Sequence, residues 1–217
     1  MRVTIPIILC CWLAACHNPS EKTASANNSK DTARILATAT TEAPKTTLPD
    51  SVMMQNWKEY MTPGKEHQML KSLNGNWIGE LTMWISPGAA PTKSIVTTTN
   101  KMILGGRYQV SVQKGMFNGM PYEGQSTMGF DNARKNYVAS WVDNMGTGII
   151  KMEGPWNETT KTIDLRGTEI DPGTGKEKSI RESLRIIDND RQIMAMFETE
   201  PDGKENKVME ILYTRKK

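Results

Sequence analysis

From Asn76 onward the chain is a train of runs of eight to eleven residues rich in Val, Ile, Thr, Tyr and Trp, separated by clusters of Gly, Pro, Asn and Asp. The runs read as ten strands, at about 77–85, 94–104, 107–114, 122–131, 136–143, 147–156, 161–170, 177–187, 191–200 and 205–215. Their links carry turn chemistry, as in Gly105-Gly106, Asn118-Gly119, Asp131-Asn132, Asp171-Pro172-Gly173, Asp188-Asn189-Asp190 and Asp202-Gly203. Short links make consecutive strands antiparallel neighbours. A ten-strand meander leaves two open edges unless the sheet closes on itself. The expected fold class is therefore all-β, an antiparallel up-and-down barrel, with a two-sheet sandwich as the alternative. Alternation marks the faces: Tyr122, Gly124, Ser126, Met128 and Phe130 share one side of the fourth strand, and Tyr137, Ala139, Trp141 and Asp143 one side of the fifth.

Two short helices precede the strands. Met53, Trp57 and Tyr60 recur at helical spacing after Pro49-Asp50-Ser51. Thr62-Pro63 offers a cap and a first-turn proline for a second helix over 64–73, which Gly75 terminates.

The N-terminus has a different texture. Met1-Arg2 is followed by the apolar run Ile5 to Leu13, too short to span a bilayer and of the right size for a signal peptide. Leu13-Ala14-Ala15-Cys16 matches the lipobox of bacterial lipoproteins. Lipidation of Cys16 is expected, with residues 1–15 removed, 16–48 left as a flexible polar tether reaching roughly 30 Å, and 49–217 forming the barrel domain. The chain would then be exported and lipid-anchored to the bacterial cell envelope, on its periplasmic or outer-membrane face.

Cysteine usage removes several chemistries. Cys10 and Cys11 leave with the signal and Cys16 is the last, so the mature domain has no disulfide, thiolate nucleophile or Cys-based metal site. A formal charge of +3, reduced to +2 when Arg2 departs, provides no electrostatic case for nucleic acid. The stretch 124–129 lacks the spacing of a nucleophile elbow, 173–176 that of a P-loop, and 188–190 the Gly and Glu of an EF-hand.

Leu73-Asn74-Gly75-Asn76-Trp77, a Gly-x-Trp opening the first strand, resembles the start of calycin barrels such as lipocalins and fatty-acid-binding proteins. The resemblance implies structural roles for Gly75, Trp77 and Arg215, with the Trp closing the barrel base and the Arg stacked on it. The fuller set Pro63-Gly64-Lys65-Glu66-His67, Leu104-Gly105-Gly106-Arg107, Gly129-Phe130-Asp131-Asn132, 141–148, 171–176 and 209–215 is similar to bacterial domain-of-unknown-function family fifteen-seventy-nine over about 55–217. That family is calycin-like in architecture, and its activity is open. Barrels of the nitrobindin type hold haem through an inward His on a late strand, whereas no strand here carries a histidine. No cofactor and no metal are expected.

Two acid–base candidates stand out. His67 is the lone histidine of the folded domain, suited to general-base or ligand work at the barrel mouth, or to a hydrogen bond across the barrel base. An inward Asp143 beside Trp141 would lose water and favour its neutral form, fit to donate a proton or hold a ligand's polar end; alternatively it caps the turn at Asn144 to Gly146. Arg107 could clamp a carboxylate or pair with Asp131. Fifteen Met and six Trp suit a soft apolar cavity, or simply a core with gaps to fill. The residues expected to meet a ligand are Trp84, Arg107, Tyr122, Met128, Tyr137, Trp141 and Asp143. The leading expectation is a barrel binding a small apolar ligand, with no oligomeric state specified. The alternatives are an enzyme, an isomerase or hydrolase using Asp143 or His67, and an envelope interaction protein with a filled barrel.

Overall fold

The structure is a computed structural model, and it describes residues 48–217 apart from Pro87 and Pro201. The signal segment, Cys16 and the tether to residue 47 lie outside the described residues. Two helices, α1 (Asp50–Met61) and α2 (Lys65–Ser72), lead into eleven strand segments. These are β1 (Gly75–Met83), β2 (Thr92–Ile103), β3 (Tyr108–Phe117), β4 (Met120–Asp131), β5 (Asn136–Asp143), β6 (Ile150–Gly154), β7 (Trp156–Asn157), β8 (Thr162–Ile170), β9 (Glu177–Ile186), β10 (Arg191–Thr199) and β11 (Glu205–Arg215).

Each strand pairs antiparallel with its sequence neighbour, and β1 pairs with β11, so the sheet closes. The β6 and β7 segments are one stave interrupted at Pro155, which has no N–H to contribute. The register against β8 is the same on both sides of the break, with Glu153 opposite Arg166 and Trp156 opposite Ile163. The fold is thus a closed ten-strand antiparallel barrel. The β3–β4 hairpin runs further than the expected 114 and 122, because Asn118 (φ 48°) and Gly119 (φ 79°) both take left-handed backbone. That is the two-residue turn whose twist matches the strands, so pairing continues to Phe117 and Met120.

The seam between first and last strands is fastened by a cross-strand pair. Trp77 lies opposite Arg215, whose guanidinium sits 4.2 Å from the indole centroid. The same guanidinium donates to the carbonyls of Ser72, Asn74 and Asn189, tying the end of the chain to the turn after α2. A Cβ at Gly75 would come within 3.0 Å of Arg215 Nη1, and its φ of 120° suits glycine, so this residue makes room for the clamp.

Helix α2 plugs that end of the barrel. Leu70 and Leu73 are buried, and the α2 terminal carbonyls are taken up by barrel side chains: Gln109 donates to Leu70 O, and Asn100 and Trp77 to Leu73 O. Gly64 is the N-cap of α2, not Thr62, whose hydroxyl donates back to Lys58 O. Helix α1 buries none of its residues, so the Met53–Trp57–Tyr60 stripe does not enter a core. Its C-terminal carbonyls are held instead by Asn132 and Arg107, from the β4–β5 and β2–β3 turns. No helix among the described residues is long and apolar enough to cross a membrane.

Removing the clamp should cost stability through loss of both the cation–π contact and the charge-assisted carbonyl bonds. Arg215→Ala is expected to lower unfolding free energy by about 2–3 kcal/mol in urea titration. Arg215→Lys should recover only part of this, since an ammonium cannot reproduce the planar fork. Wild-type stability in both variants would remove the seam pair from its structural role.

Candidate functional site

The barrel core is split. One cluster, with Leu70, Met128, Tyr137, Ala139, Met152, Ile163, Leu165 and Ile180, packs under α2; a second, with Trp77, Leu81, Val96, Ile211 and Tyr213, lies along the seam. Between the two walls is a cavity of about 400 Å³. The interior is therefore not filled by the protein's own side chains.

The cavity wall is polar along β2 and β3 and mixed along β9 to β11. From β2 and β3 come Thr98, Asn100, Gln109, Ser111 and Gln113; β9, β10 and β11 bring Leu184, Met194, Met196 and Met209 together with Glu182, Gln192, Glu198 and Tyr213. The polar wall is pre-set by hydrogen bonds: Gln113 Oε1 accepts from Tyr213 OH at 2.6 Å and Thr98 Oγ1 at 3.3 Å. Burial raises the Tyr213 hydroxyl well above its ordinary range, so it remains a donor. Tyr122 is raised as well, by burial and then by the charge of Asp143.

Of the residues expected to meet a ligand, Trp84, Tyr122, Met128, Trp141 and Asp143 share this wall. The Trp141 indole lies across Gly124, where a Cβ would be 2.2 Å from the ring. Its Nε1 donates to Asp143 Oδ2 at 2.9 Å, and Met145 N donates to Asp143 Oδ1 at 2.9 Å. Both Asp143 oxygens are thus engaged, one holding the indole and the other capping the following turn. The carboxylate is anchored by its neighbours and is not an isolated acid.

Tyr137 and Arg107 are not on the cavity wall. Tyr137 is 1% exposed and packs edge-on to Phe130 within the cluster under α2. Arg107 turns outward from the β2–β3 turn, donating to Leu104 O and Met61 O, and so holds backbone carbonyls in place of any carboxylate. Asp131 has Arg134 as its ionic partner, at 3.5 Å. His67 is also outside the cavity. Its Nδ1 accepts from Gly64 N at 3.0 Å at the start of α2, its ring stacks edge-on against Phe130, and burial pushes its pKa down. Asp143 and His67 are therefore not brought together.

The residue that sequence reasoning passed over is Glu182. It lines the cavity from β9, opposite Leu165 on β8 and Met196 on β10. The residue is half-buried with its carboxyl on the cavity, and loss of solvation there raises its pKa to about 7. The signal was available, since Glu182 alternates with Ile180 and Leu184 and so belongs to the inward face. Two further carboxylates on the lining, Glu169 and Glu198, are bridged by Lys178 at 3.1 and 2.7 Å. Among the described residues no group of three His, Cys, Asp or Glu is arranged to hold a metal ion.

The family model of a protein of unknown function (DUF1579) matches residues 62–215. The chain belongs to that family. No curated protein sequence matches it. Among solved structures, Rv2717c from M. tuberculosis superposes with a TM-score of 0.54 at 17% identity, covering 72% of this chain and 100% of that one. The S-type phycobiliprotein lyase CPES from Guillardia theta superposes with a TM-score of 0.47 at 8% identity, over 71% and 99% of the two chains. At 17% identity the likeness to Rv2717c is one of fold.

The Glu182 environment has a signed consequence. Below pH 4.5, the ordinary glutamate value, the carboxyl is neutral in folded and unfolded chains alike and contributes no difference. As pH rises through 7 the folded state must accept a desolvated charge that the unfolded chain holds freely, so stability falls. Glu182→Gln should therefore stabilise the protein at pH 8 by on the order of 3 kcal/mol, and by nothing at pH 4. A stability difference of the same size at both pH values in urea titrations would contradict the burial of this group.

Proposed function

We propose that this member of the family is a lipid-anchored cell-envelope protein that binds a small, largely apolar molecule inside its barrel. The binding half of this reading is carried by the cavity of about 400 Å³ between the two core clusters. That size lies within the range of roughly 300–1,000 Å³ usual for small-molecule sites. Methionine is the fitting residue for such a wall, because an unbranched polarisable side chain adapts to a guest. A barrel packed solid would suit a role confined to protein contacts, and this interior does not match it. A catalytic reading would have to run through Glu182, since Asp143 is engaged by its neighbours and His67 is outside the cavity.

The envelope half rests on Leu13-Ala14-Ala15-Cys16, which follows a short apolar run and precedes a polar stretch. Membrane attachment through acyl chains on Cys16 would leave the barrel free in the aqueous phase.

The neutral fluorophore 1-aminoanthracene should bind the folded domain saturably, with one site per chain. Ser126 faces the cavity with space before it, so Ser126→Phe should weaken that binding at least about tenfold with the melting temperature little changed. No saturable binding by the wild-type domain, with no small molecule carried through native mass spectrometry, would sink the binding reading. For the anchor, Cys16→Ser should move the protein from the membrane to the soluble fraction and abolish labelling by radioactive palmitate. Continued sedimentation with membranes together with retained label would refute the lipid attachment.

A further inference from the structure

The cavity's charges are all of one sign. Its ionisable lining residues other than tyrosine are Asp143, Glu169, Glu182 and Glu198, with no Lys, Arg or His among them. Three of these carboxylates have partners within the protein. Asp143 accepts from Trp141 and Met145, while Glu169 and Glu198 share Lys178 at the rim. Glu182 differs: burial is the single influence on its titration, with no hydrogen-bond donor or cation contributing.

Two other lining residues, on β10 and β2, each have an unmatched acceptor, toward the α2-plugged end and away from Glu182. Gln192 is 4% exposed and its Oε1 has no hydrogen-bond partner; Asn100 is 7% exposed and its Oδ1 likewise has none. Leaving such atoms unpaired is costly, and a lone desolvated carboxyl is costlier still. The two amide oxygens are closed off even from the cavity, whereas Glu182 faces it, where a ligand can complete the carboxyl. What is missing beside Glu182 is a donor and a positive charge.

We propose that the barrel's ligand is an amphipathic amine, whose ammonium pairs with Glu182 while its apolar body lies against Leu184, Met194 and Met196. A primary ammonium supplies three donors and no acceptor, the complement of the Glu182 carboxylate. Register fixes the layout. Met196 lies opposite Glu182, Met194 opposite Leu184 and Gln192 opposite Ile186, so an apolar strip runs along β9 and β10 from Glu182 toward the α2-plugged end. An anionic amphiphile such as a fatty acid has no cation to meet inside and would face the carboxyls. The inference rests on the cavity being a binding site, and deepens that reading by naming the ligand class.

The groups that face Glu182 set its pH response. Leu165 on β8 and Met196 on β10 are apolar, Met209 lies beyond Met196 on β11, the Tyr213 hydroxyl is near enough to feel the charge of Glu182, and the Glu169–Lys178–Glu198 bridge lies at the rim. Nothing nearby supplies an alternative positive partner at depth. Ionisation of Glu182 should therefore strengthen amine binding as pH rises from 5 to 8.

The test displaces 1-aminoanthracene with decylamine, decanol and decanoate, which share a chain length and differ in head charge. At pH 8 decylamine should displace the probe at least about tenfold more tightly than decanoate. That preference should shrink at pH 5, and in Glu182→Gln it should fall to near parity with decanol. Saturable probe binding with equal affinities for the three, or with decanoate the tightest, would overturn the amine assignment and leave the binding reading standing. An undiminished preference in Glu182→Gln would also overturn it. Absence of probe binding would remove the binding reading itself, and the inference with it.

Discussion

The pairing of the first strand with the last is the constraint on which the rest of the molecule depends. Without it the meander would carry two open edges, each a row of unpaired backbone donors and acceptors. The seam runs over seven residue pairs, from Trp77 opposite Arg215 to Met83 opposite Met209. Its closed end gathers three separate tasks into one cluster of side chains. The Trp77 indole fills the base and donates to the end of α2; Arg215 covers the indole; and the same guanidinium binds carbonyls from the α2 turn and the β9–β10 turn. Closure, plugging and helix capping are thus coupled, because Trp77 and Arg215, which hold the seam, also satisfy carbonyls at the end of α2.

Plugging one end with α2 has a direct consequence for packing. The inward side chains on which α2 packs meet each other in one cluster, whereas others face the cavity. Many positions on the cavity wall carry Met, Ser, Thr and Gln where the packed clusters carry Leu, Ile and Tyr. Small hydroxyl and flexible thioether side chains do not fill the volume that leucines and aromatics would. The cavity is a property of that composition, and it also explains why a glutamate is tolerated on the inner face. Glu182 opens onto space that water or a guest can share, and it is not wedged into a packed core.

Period-two alternation made much of this legible in advance. It placed Tyr122, Ser126 and Met128 of β4 on one face, and Trp141 and Asp143 of β5 on one face, and those residues do share the cavity wall. The Gly-x-Trp start and the terminal Arg likewise pointed to the seam. In contrast, alternation says which residues share a face without saying which face is inside. In β3, Gln109, Ser111 and Gln113 look inward, while Val110 and Val112 look outward beside Lys101, Thr127, Thr99 and Gln125. Hydrophobicity alone would have turned that strand over. Its orientation is imposed by hydrogen-bond register with β2 and β4, and its glutamines are accommodated because Gln109 finds Leu70 O and Gln113 finds Tyr213.

The sequence by itself determined the strands, their antiparallel order and the closed meander, because strand periodicity and turn chemistry are local properties of the chain. Only the tertiary structure decided which polar groups would be satisfied by the protein and which would be left facing the cavity. Asp143 and Arg107 looked like free chemistry along the chain, yet found partners in Trp141, Met145, Leu104 and Met61. Glu182 looked unremarkable among alternating residues, yet found none. The reason is geometric: a hydrogen bond depends on distances of about 3 Å between atoms, and only the closed barrel brings those atoms to that range or holds them apart.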